Sequence, residues 1–297
     1  MDFRWLVRTV RRAPSRWLRG LRRWRALSRA SAGAPRILCD DTGFRFVYLP
    51  WMYPNVHNML RRNCDAAQFR AIRALLASDA VVFDVGAHVG RFSVFVDRLL
   101  SGGQVHAFEP VPQTFALMEE NLALNHVRRV IAHNCAIGDR TAAVEMHLFD
   151  PLYSAWNTLG RPTMLAPTGQ RLRPTRSVSV PCDTIDHICL ARGIERIDLL
   201  KVDVEGFEKN VFAGARRMLG EGRVGAVCFE ISQEPLKGAG ATARQVFACL
   251  ESLGYGCWAF DESLGRFTGP VHDSADYWAN FYASRRDLGT MGASLAA

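Results

Sequence analysis

Long hydrophobic runs and paired cysteine motifs are both missing from this chain of 297 residues. No window holds the roughly 18 uninterrupted apolar residues that a spanning helix needs, so an integral membrane protein is not expected. The eight cysteines include no Cys-x-x-Cys pair and no histidine at zinc-finger spacing. No secretory signal is recognisable near residue 1. We therefore interpret the cysteines as reduced thiols of a cytoplasmic protein.

Acidic residues are almost absent from residues 1–36, which hold eleven arginines and the single acid Asp2. This stretch carries a net charge of +10, which leaves −2 for the remaining 261 residues. The apolar residues between the arginines recur at helical spacing: Phe3, Leu6, Val10, Trp17, Leu21 and Trp24. We interpret residues 1–35 as a basic amphipathic arm for an anionic membrane surface, which would place the protein peripherally on the inner membrane face. A helix packed on the body and a solvated tail are the alternatives, and nucleic acid is not an expected partner.

The central part of the chain alternates short β-rich apolar runs with segments of helical period. The runs lie at 80–85, 104–108, 129–136, 197–202 and 224–231. This alternation predicts an α/β protein with a mostly parallel sheet and helices on both faces.

The segments on either side of this central part have other patterns, from which we predict the division of the chain into regions. Within residues 36–78, a hairpin is predicted over 36–49 and a helix over 65–77. Residues 79–290 form the main domain, with an insertion at 140–180 that begins with strand-like Ala143–Phe149. Two late strands should form an antiparallel C-terminal edge: Tyr255–Phe260 and Asp276–Ser284.

A glycine turn follows the first predicted strand of the main domain. Asp84, Gly86, His88 and Gly90 lie in it, and a helix should begin at about Arg91. Glycines let the backbone approach a ligand, and a helix N-terminus offers unpaired N–H groups. The Gly-x-x-x-Gly spacing does not meet the dinucleotide fingerprint Gly-x-Gly-x-x-Gly. A carboxylate before the first glycine could instead orient the amino group of an amino-acid-like ligand.

The second predicted strand ends at another acid, Glu109, which lies 25 residues after Asp84. An acid at this position can accept both hydroxyls of a ribose. The alternative is an ordinary surface acid at a strand end.

Four motifs together resemble the FkbM family of S-adenosylmethionine-dependent methyltransferases. They are Asp84-Val-Gly-Ala-His-Val-Gly90, Ala107-Phe-Glu-Pro110, Asn134-Cys-Ala-Ile-Gly-Asp139 and Leu199-Leu-Lys-Val-Asp-Val-Glu-Gly206. The resemblance runs from about residue 80 to about residue 235, and it implies a Rossmann-like class I methyltransferase fold.

The resemblance also implies a cofactor site for S-adenosylmethionine. Its methionine part would lie among Asp84, Gly86, His88 and Gly90, its ribose on Glu109, and its adenine beside Asn134, Cys135 and Ala136. The family usually has Asn where this chain has His88. Histidine titrates near neutrality, so the polarity of this loop could depend on pH, although we favour a purely structural role.

Methyl transfer to a hydroxyl needs a group that manages the proton of the acceptor. Asp203 is our first choice as base, because it follows the fourth core strand and ligand sites lie beyond the carboxyl ends of such strands. Glu230 ends the fifth strand at the same edge and is another candidate. Glu205 could equally cap the helix expected near Gly206, and Lys201 could be buried with its tip paired to a carboxylate. An alternative is that Asp203 and Glu230 together hold a divalent cation. We do not favour it, and we assign no metal ligand.

The segment over 150–176 is too long for a simple connection, so we interpret it as a binding loop or lid. Tyr153, Ser154, Trp156 and Asn157 offer an aromatic face and hydrogen-bonding groups that suit a sugar. A hairpin without ligand contact is the alternative.

These observations favour O-methylation of a hydroxyl on a sugar, surface glycan or secondary metabolite. One alternative is a nucleotide-sugar or NAD-dependent enzyme on a related fold, although the pyrophosphate turn is missing. Another is a catalytically inactive membrane-associated binding protein.

Removal of the arm should abolish binding to anionic liposomes. Each arginine near such a surface contributes about 1 kcal/mol, screened over a Debye length of roughly 8 Å. Because the tryptophans add apolar insertion, added salt should weaken binding by the full chain without abolishing it. Co-sedimentation compares the full chain with a protein that starts at Arg36, which should still bind cofactor. Equal sedimentation of the two would contradict the tether.

Overall fold

The computed structural model describes residues 36–40, 43–48, 66–165 and 171–293. The arm over residues 1–35 lies outside the described residues, so its membrane role stays a prediction. Among the described residues, no helix is long and apolar enough to cross a membrane.

A two-stranded hairpin and a helix precede the main domain, close to the predicted bounds. Strands β1 (Arg36–Cys39) and β2 (Arg45–Tyr48) pair antiparallel, and helix α1 covers Ala66–Leu75. Phe69 of α1 is buried and stacks on Phe95, with ring centroids 4.0 Å apart. The N-terminal elements are therefore packed onto the main domain through aromatic contacts.

An eight-stranded sheet is the centre of the molecule. Its strands are β3 (Val81–Val85), β4 (Gln104–Phe108), β5 (Val130–His133), β9 (Ile197–Val202), β10 (Val224–Ser232), β11 (Gly256–Asp261), β12 (Arg266–Thr268) and β13 (Trp278–Ser284). Their order is β12-β11-β13-β10-β9-β3-β4-β5. The strands β5, β4, β3, β9 and β10 are parallel, and β13 is antiparallel to both of its neighbours, β10 and β11. The predicted α/β class and antiparallel C-terminal edge are confirmed.

Helices cover the sheet on both faces. They are α2 (Arg91–Leu99), α3 (Pro112–Leu124), α4 (Ile185–Arg192), α5 (Glu208–Gly214), α6 (Arg216–Gly220), α7 (Gln233–Gly238) and α8 (Ala243–Glu251). Neighbouring residues of β3 enter different cores: Val82 packs in one cluster with Phe92, and Phe83 in the other with Phe229. Burial on both faces explains why the central strands are continuous apolar runs rather than alternating patterns.

The insertion forms a small sheet of its own. Strands β6 (Ala136–Ile137), β7 (Ala142–Leu148) and β8 (Arg176–Asp183) are arranged in the order β6-β8-β7. We predicted a strand near β7 but missed β8, whose residues lie in a stretch rich in proline and arginine. Between β7 and β8, a short 3-10 helix covers Pro151–Trp156. The predicted binding loop is thus partly ordered into a helical turn beside the sheet.

Candidate active site

A cavity of about 330 Å³ lies at the carboxyl ends of the parallel strands, a size that suits a small molecule. The predicted residues that line it are Gly86, His88, Glu109, Cys135, Ala136, Ser154, Trp156, Asn157, Asp203, Glu205 and Glu230. The predicted residues absent from its lining are Asp84, Gly90, Asn134 and Tyr153. Residues at or near the ends of five strands and residues of the insertion therefore meet around one cavity.

Asp84 lies beneath the cavity rather than in its wall, contrary to our expectation of a contact with the ligand. Its side chain is fully buried, and its Oδ2 accepts a hydrogen bond of 2.6 Å from Ser93 Oγ. Its Oδ1 lies 3.2 Å from Lys201 Nζ. Asp84 can therefore act on a ligand only through the position it gives to Lys201.

Lys201 joins two carboxylates at the floor of the cavity, as the buried pairing proposed from the sequence requires. Its Nζ lies 3.2 Å from both Asp84 Oδ1 and Asp203 Oδ2 and donates to the carbonyl oxygen of Gly86. Burial alone lowers the pKa of Lys201, but the attraction of Asp203 and Asp84 outweighs it, so the pKa is raised. The ammonium stays charged and fixes the ends of β3 and β9 relative to each other.

Gly86 is required by this close approach. Its φ is +79°, and a Cβ atom there would overlap the carbonyl oxygen of Asp203. Gly90 also has a positive φ, of +84°, and a Cβ there would lie 2.9 Å from Met118 Cγ. Packing inside the protein therefore explains both glycines, and Gly90 itself does not line the cavity.

Glu109 holds the glycine turn against the end of β4. Its Oε2 accepts from the backbone N–H of His88 at 3.1 Å, and its Oε1 accepts from that of Val111 at 3.0 Å. Burial raises the pKa of Glu109 to about 8, although both amides favour the ionised form. Asn134 donates to the carbonyl oxygens of Glu109 and Pro110, so it shapes this wall rather than lining the cavity.

His88 connects the glycine turn to the insertion. Its Nε2 lies 3.5 Å from Ser154 Oγ, and its φ is +48°. Burial lowers the pKa of His88 to about 4. This low pKa agrees with the structural role that we favoured for His88 and disfavours the alternative, a loop whose polarity depends on pH near neutrality.

The insertion closes one side of the cavity with Trp156. The ring of Tyr153 stacks on Trp156 from outside the lining, with centroids 5.3 Å apart and an interplanar angle of 13°. Asn157 Oδ1 accepts from the backbone N–H of Phe149 at 3.0 Å, and Thr158 Oγ1 donates to the carbonyl oxygen of Glu205. These contacts tie the loop to the site, and Tyr153 supports the ring that faces the cavity.

Three carboxylates lie together in the lining of the cavity, and we call them the acidic wall. One oxygen each of Asp203, Glu205 and Glu230 lies within 4.8 Å of the others. Burial, followed by repulsion from Asp203, raises the pKa of both glutamates well above its usual value. Hard oxygen ligands of this kind could hold a divalent cation. They also supply a proton acceptor whose affinity for a proton is higher than that of an exposed carboxylate.

Glu208, which the sequence reasoning missed, satisfies the turn before α5. Its Oε1 accepts from the backbone N–H groups of Val204 at 3.4 Å and Gly206 at 3.2 Å. Glu205 does not provide the cap that we considered for it: the N-cap residue of α5 is Phe207, without a side-chain cap hydrogen bond, and Glu205 lines the cavity with a φ of +51°. The N–H groups that Glu208 binds precede the helix, so the usual preference of acids for a first helical turn does not predict this contact.

Five further residues with hydrogen-bonding side chains line the cavity without having been predicted: Gln68, Arg91, Ser232, Trp278 and Asn280. Arg91 is ion-paired with Asp40, at a distance of 3.3 Å. Gln68, Trp278 and Asn280 lie far along the chain from the recognisable motifs. Only the folding of α1 and β13 against β10 brings them to the site.

Comparison with known families decides the assignment. The Methyltransferase FkbM domain matches residues 84–257, more than half of the chain. The chain belongs to the FkbM methyltransferase family. All four motifs that carried the resemblance lie within or begin the matched region.

Three curated relatives are each about 30% identical to this chain over the aligned residues. The 2-O-methyltransferase NoeI of Sinorhizobium fredii is 30% identical over 190 residues, covering 62% of this chain and 76% of NoeI. The 31-O-demethyl-FK506 methyltransferase FkbM of Streptomyces tacrolimicus is 31% identical over 153 residues, covering 45% and 58%. Methyltransferase 1 of Beauveria bassiana is 29% identical over 145 residues, covering 46% and 58%. The chain thus spans about three fifths of the length of several relatives.

Among solved structures, an O-methyltransferase from Bacillus cereus in complex with SAH aligns with a TM-score of 0.43 and 11% identity. The alignment covers 77% of this chain and 84% of that one. The class I methyltransferase fold of this FkbM-family chain is evident in its own strand order, in which the antiparallel strand β13 lies between β10 and β11.

Replacement of Glu109 by Gln should flatten the pH dependence of stability. The unfolded chain loses this proton near pH 4.5, whereas the folded chain keeps it to about pH 8. The folded state binds more protons in that window, so Glu109 lowers the free energy of unfolding progressively as pH rises from about 5 to 8. Urea denaturation at several pH values should show a shallower decline for Glu109→Gln. The exposed Glu145→Gln is the control, and equal slopes for Glu109→Gln and wild type would contradict the assignment.

Proposed function

We propose that this chain is an S-adenosylmethionine-dependent O-methyltransferase that acts on a hydroxyl of a sugar, surface glycan or secondary metabolite. The observation that carries the proposal is the meeting of Glu109 with Asp203, Glu205 and Glu230 around one cavity at the carboxyl ends of the sheet. Family membership supports the methyl transfer, and two relatives bear O-methyltransferase names or a demethylated substrate in their names.

The donor-set chemistry of the cavity fits the cofactor. Each carboxylate oxygen of Glu109 accepts one backbone hydrogen bond and keeps capacity for a ribose hydroxyl. Gly86 lines the cavity with its backbone, and Cys135 and Ala136 offer a half-buried to buried surface for the adenine. When bound, S-adenosylmethionine supplies an electrophilic methyl group on a sulfonium.

The residues of the chain then position the acceptor and take its proton. Asp203 was the first choice of base from the sequence, but the ammonium of Lys201 engages its carboxylate at 3.2 Å and competes for its lone pairs. Glu230 is 7% exposed, lines the cavity and has a raised pKa because of burial and the neighbouring carboxylates. A general base works best when its pKa approaches the operating pH. We therefore assign the proton acceptor to Glu230, with Asp203 positioning Lys201.

The direct test of this function is mass spectrometry of glycans, lipids and small metabolites from cells with and without the protein. A species heavier by one CH₂ group, present only with the protein, identifies the acceptor. Incubation of the purified protein with that acceptor should release S-adenosylhomocysteine. An acceptor that is methylated on nitrogen or carbon would overturn the O-methyl assignment.

Glu109→Ala should weaken S-adenosylhomocysteine binding by roughly 1–3 kcal/mol, the cost of leaving buried polar partners unpaired. Isothermal titration calorimetry measures the change directly. Glu145→Ala, which removes an exposed carboxylate outside the cavity, is the matched control and should bind as the wild type does. Unchanged affinity of Glu109→Ala for S-adenosylhomocysteine would contradict the proposal that Glu109 binds the ribose.

Glu230→Gln should lower turnover about 100-fold or more, the usual contribution of a general base, while S-adenosylhomocysteine affinity stays within about twofold. The acidic limb of the pH–rate profile should reflect the raised pKa of Glu230 in the wild type and disappear in the variant. The comparison is Asp203→Asn. If Asp203→Asn loses turnover and Glu230→Gln keeps it, the base is Asp203. Loss of wild-type turnover in EDTA with recovery on adding Mg²⁺ would instead assign the three carboxylates to a cation.

A further inference from the structure

One face of the β10–β13 pair presents four side chains to the cavity. In the antiparallel register, Glu230 lies opposite Asn280, and Ser232 lies opposite Trp278. Alternate residues of a strand share a face, so these four side chains form one surface. All four line the cavity. We call this surface the β10–β13 wall.

Trp278 is the apolar part of the β10–β13 wall. Its side chain keeps 52% of its surface exposed, which is unusual for an indole beside a cavity. A flat apolar ring that lines the cavity and is left open suits a ligand with a flat apolar face, such as the C–H face of a sugar ring.

The polar groups of the wall lie beside this ring. Gln68 Nε2 donates to Asn280 Oδ1 at 3.1 Å, which orients the Asn280 amide so that its NH₂ group remains as a donor. Ser232 adds a hydroxyl, and Glu230 adds acceptor oxygens. Neutral donors and carboxylate acceptors placed around an aromatic ring match the hydroxyl groups at the edge of a sugar ring.

The charges around the cavity disfavour an anionic ligand. Asp203, Glu205 and Glu230 crowd one side within 4.8 Å of one another. The cationic side chains of the lining are Lys201 and Arg91, and each is ion-paired with a carboxylate. An acceptor that carried a carboxylate or phosphate near this wall would meet repulsion, and among the described residues no further cation of the lining is placed to offset it.

The β10–β13 wall and the residue that supports it, Gln68, lie partly inside and partly outside the region that matches the FkbM domain. Glu230 and Ser232 lie within the region that matches the FkbM domain, whereas Gln68, Trp278 and Asn280 lie outside residues 84–257. The ribose carboxylate Glu109 lies inside that region. The wall thus differs from the cofactor side in depending on segments before and after the matched domain.

We propose that the β10–β13 wall binds an uncharged sugar ring of the acceptor, stacked on Trp278 and hydrogen-bonded to Asn280, Ser232 and Glu230, and that the site discriminates against uronic acids and sugar phosphates. This inference rests on the proposed methyltransferase function. It adds the residues that select the acceptor and the charge of the acceptor that they select.

The test uses the full chain labelled with 5-fluorotryptophan and saturated with S-adenosylhomocysteine. The resonance of Trp278 is assigned with Trp278→Phe, and methyl β-glucoside and methyl β-glucuronide are titrated as probes that differ in charge at one carbon. The glucoside should shift the Trp278 resonance, and the glucuronide should bind about tenfold more weakly or worse. Tyr277→Ala is the matched control, because this neighbour is 64% exposed but does not line the cavity.

Equal affinity for the two probes would overturn the proposal, and so would an unmoved Trp278 resonance in protein that binds S-adenosylhomocysteine. A glucoside affinity that falls in Tyr277→Ala as much as in Trp278→Ala would also overturn it. Failure of the protein to bind S-adenosylhomocysteine at all would instead count against the proposed function. The two failures are therefore distinguished in the same experiment.

Discussion

The ion pairs of Lys201 with Asp84 and Asp203 are the interaction on which the site depends. They join β3 to β9 at their carboxyl ends, under the cavity, and Lys201 also donates to the backbone of Gly86. Asp84 is fully buried, so loss of Lys201 would leave its carboxylate without this partner at a cost of about 3–5 kcal/mol, whereas the Asp203 side chain is 35% exposed and its pairing contributes less. Lys201 thus holds the glycine turn, through Asp84 and Gly86, next to Asp203 of the acidic wall.

The acidic wall is a consequence of the same arrangement. Parallel strands deliver their last residues to one edge of the sheet, so Asp203 and Glu230 become neighbours although 27 positions separate them in the numbering. Of these three wall carboxylates, Asp203 is the one that is ion-paired with Lys201. Glu205 and Glu230 keep raised pKa values because burial and mutual repulsion are incompletely offset. This difference in charge compensation is the basis on which we propose a positioning role for Asp203 and a proton-accepting role for Glu230.

The cavity has two sides of different origin. The glycine turn and Glu109 lie in continuous motifs of the FkbM region, and they form the side that suits a cofactor. The insertion supplies Trp156 on one flank, and β13 supplies Trp278 from beyond the matched region. If the first side binds the cofactor and the second the acceptor, as we propose, changes in the second could alter the acceptor without altering the fold, since function depends on the site more than on the fold.

The sequence by itself determined the parallel strands, the glycine turn and the acids at the strand ends. These features are local: a buried strand is a short apolar run, and the residue after it must lie at the sheet edge. The tertiary structure alone decided that Asp84 faces Lys201 rather than the cavity and that Glu208 accepts from the turn before α5. It also decided that burial lowers the pKa of His88 and that Trp278 reaches the site. The physical reason is that burial, ion pairing and cavity lining depend on contacts between residues far apart in the chain, which no local pattern encodes.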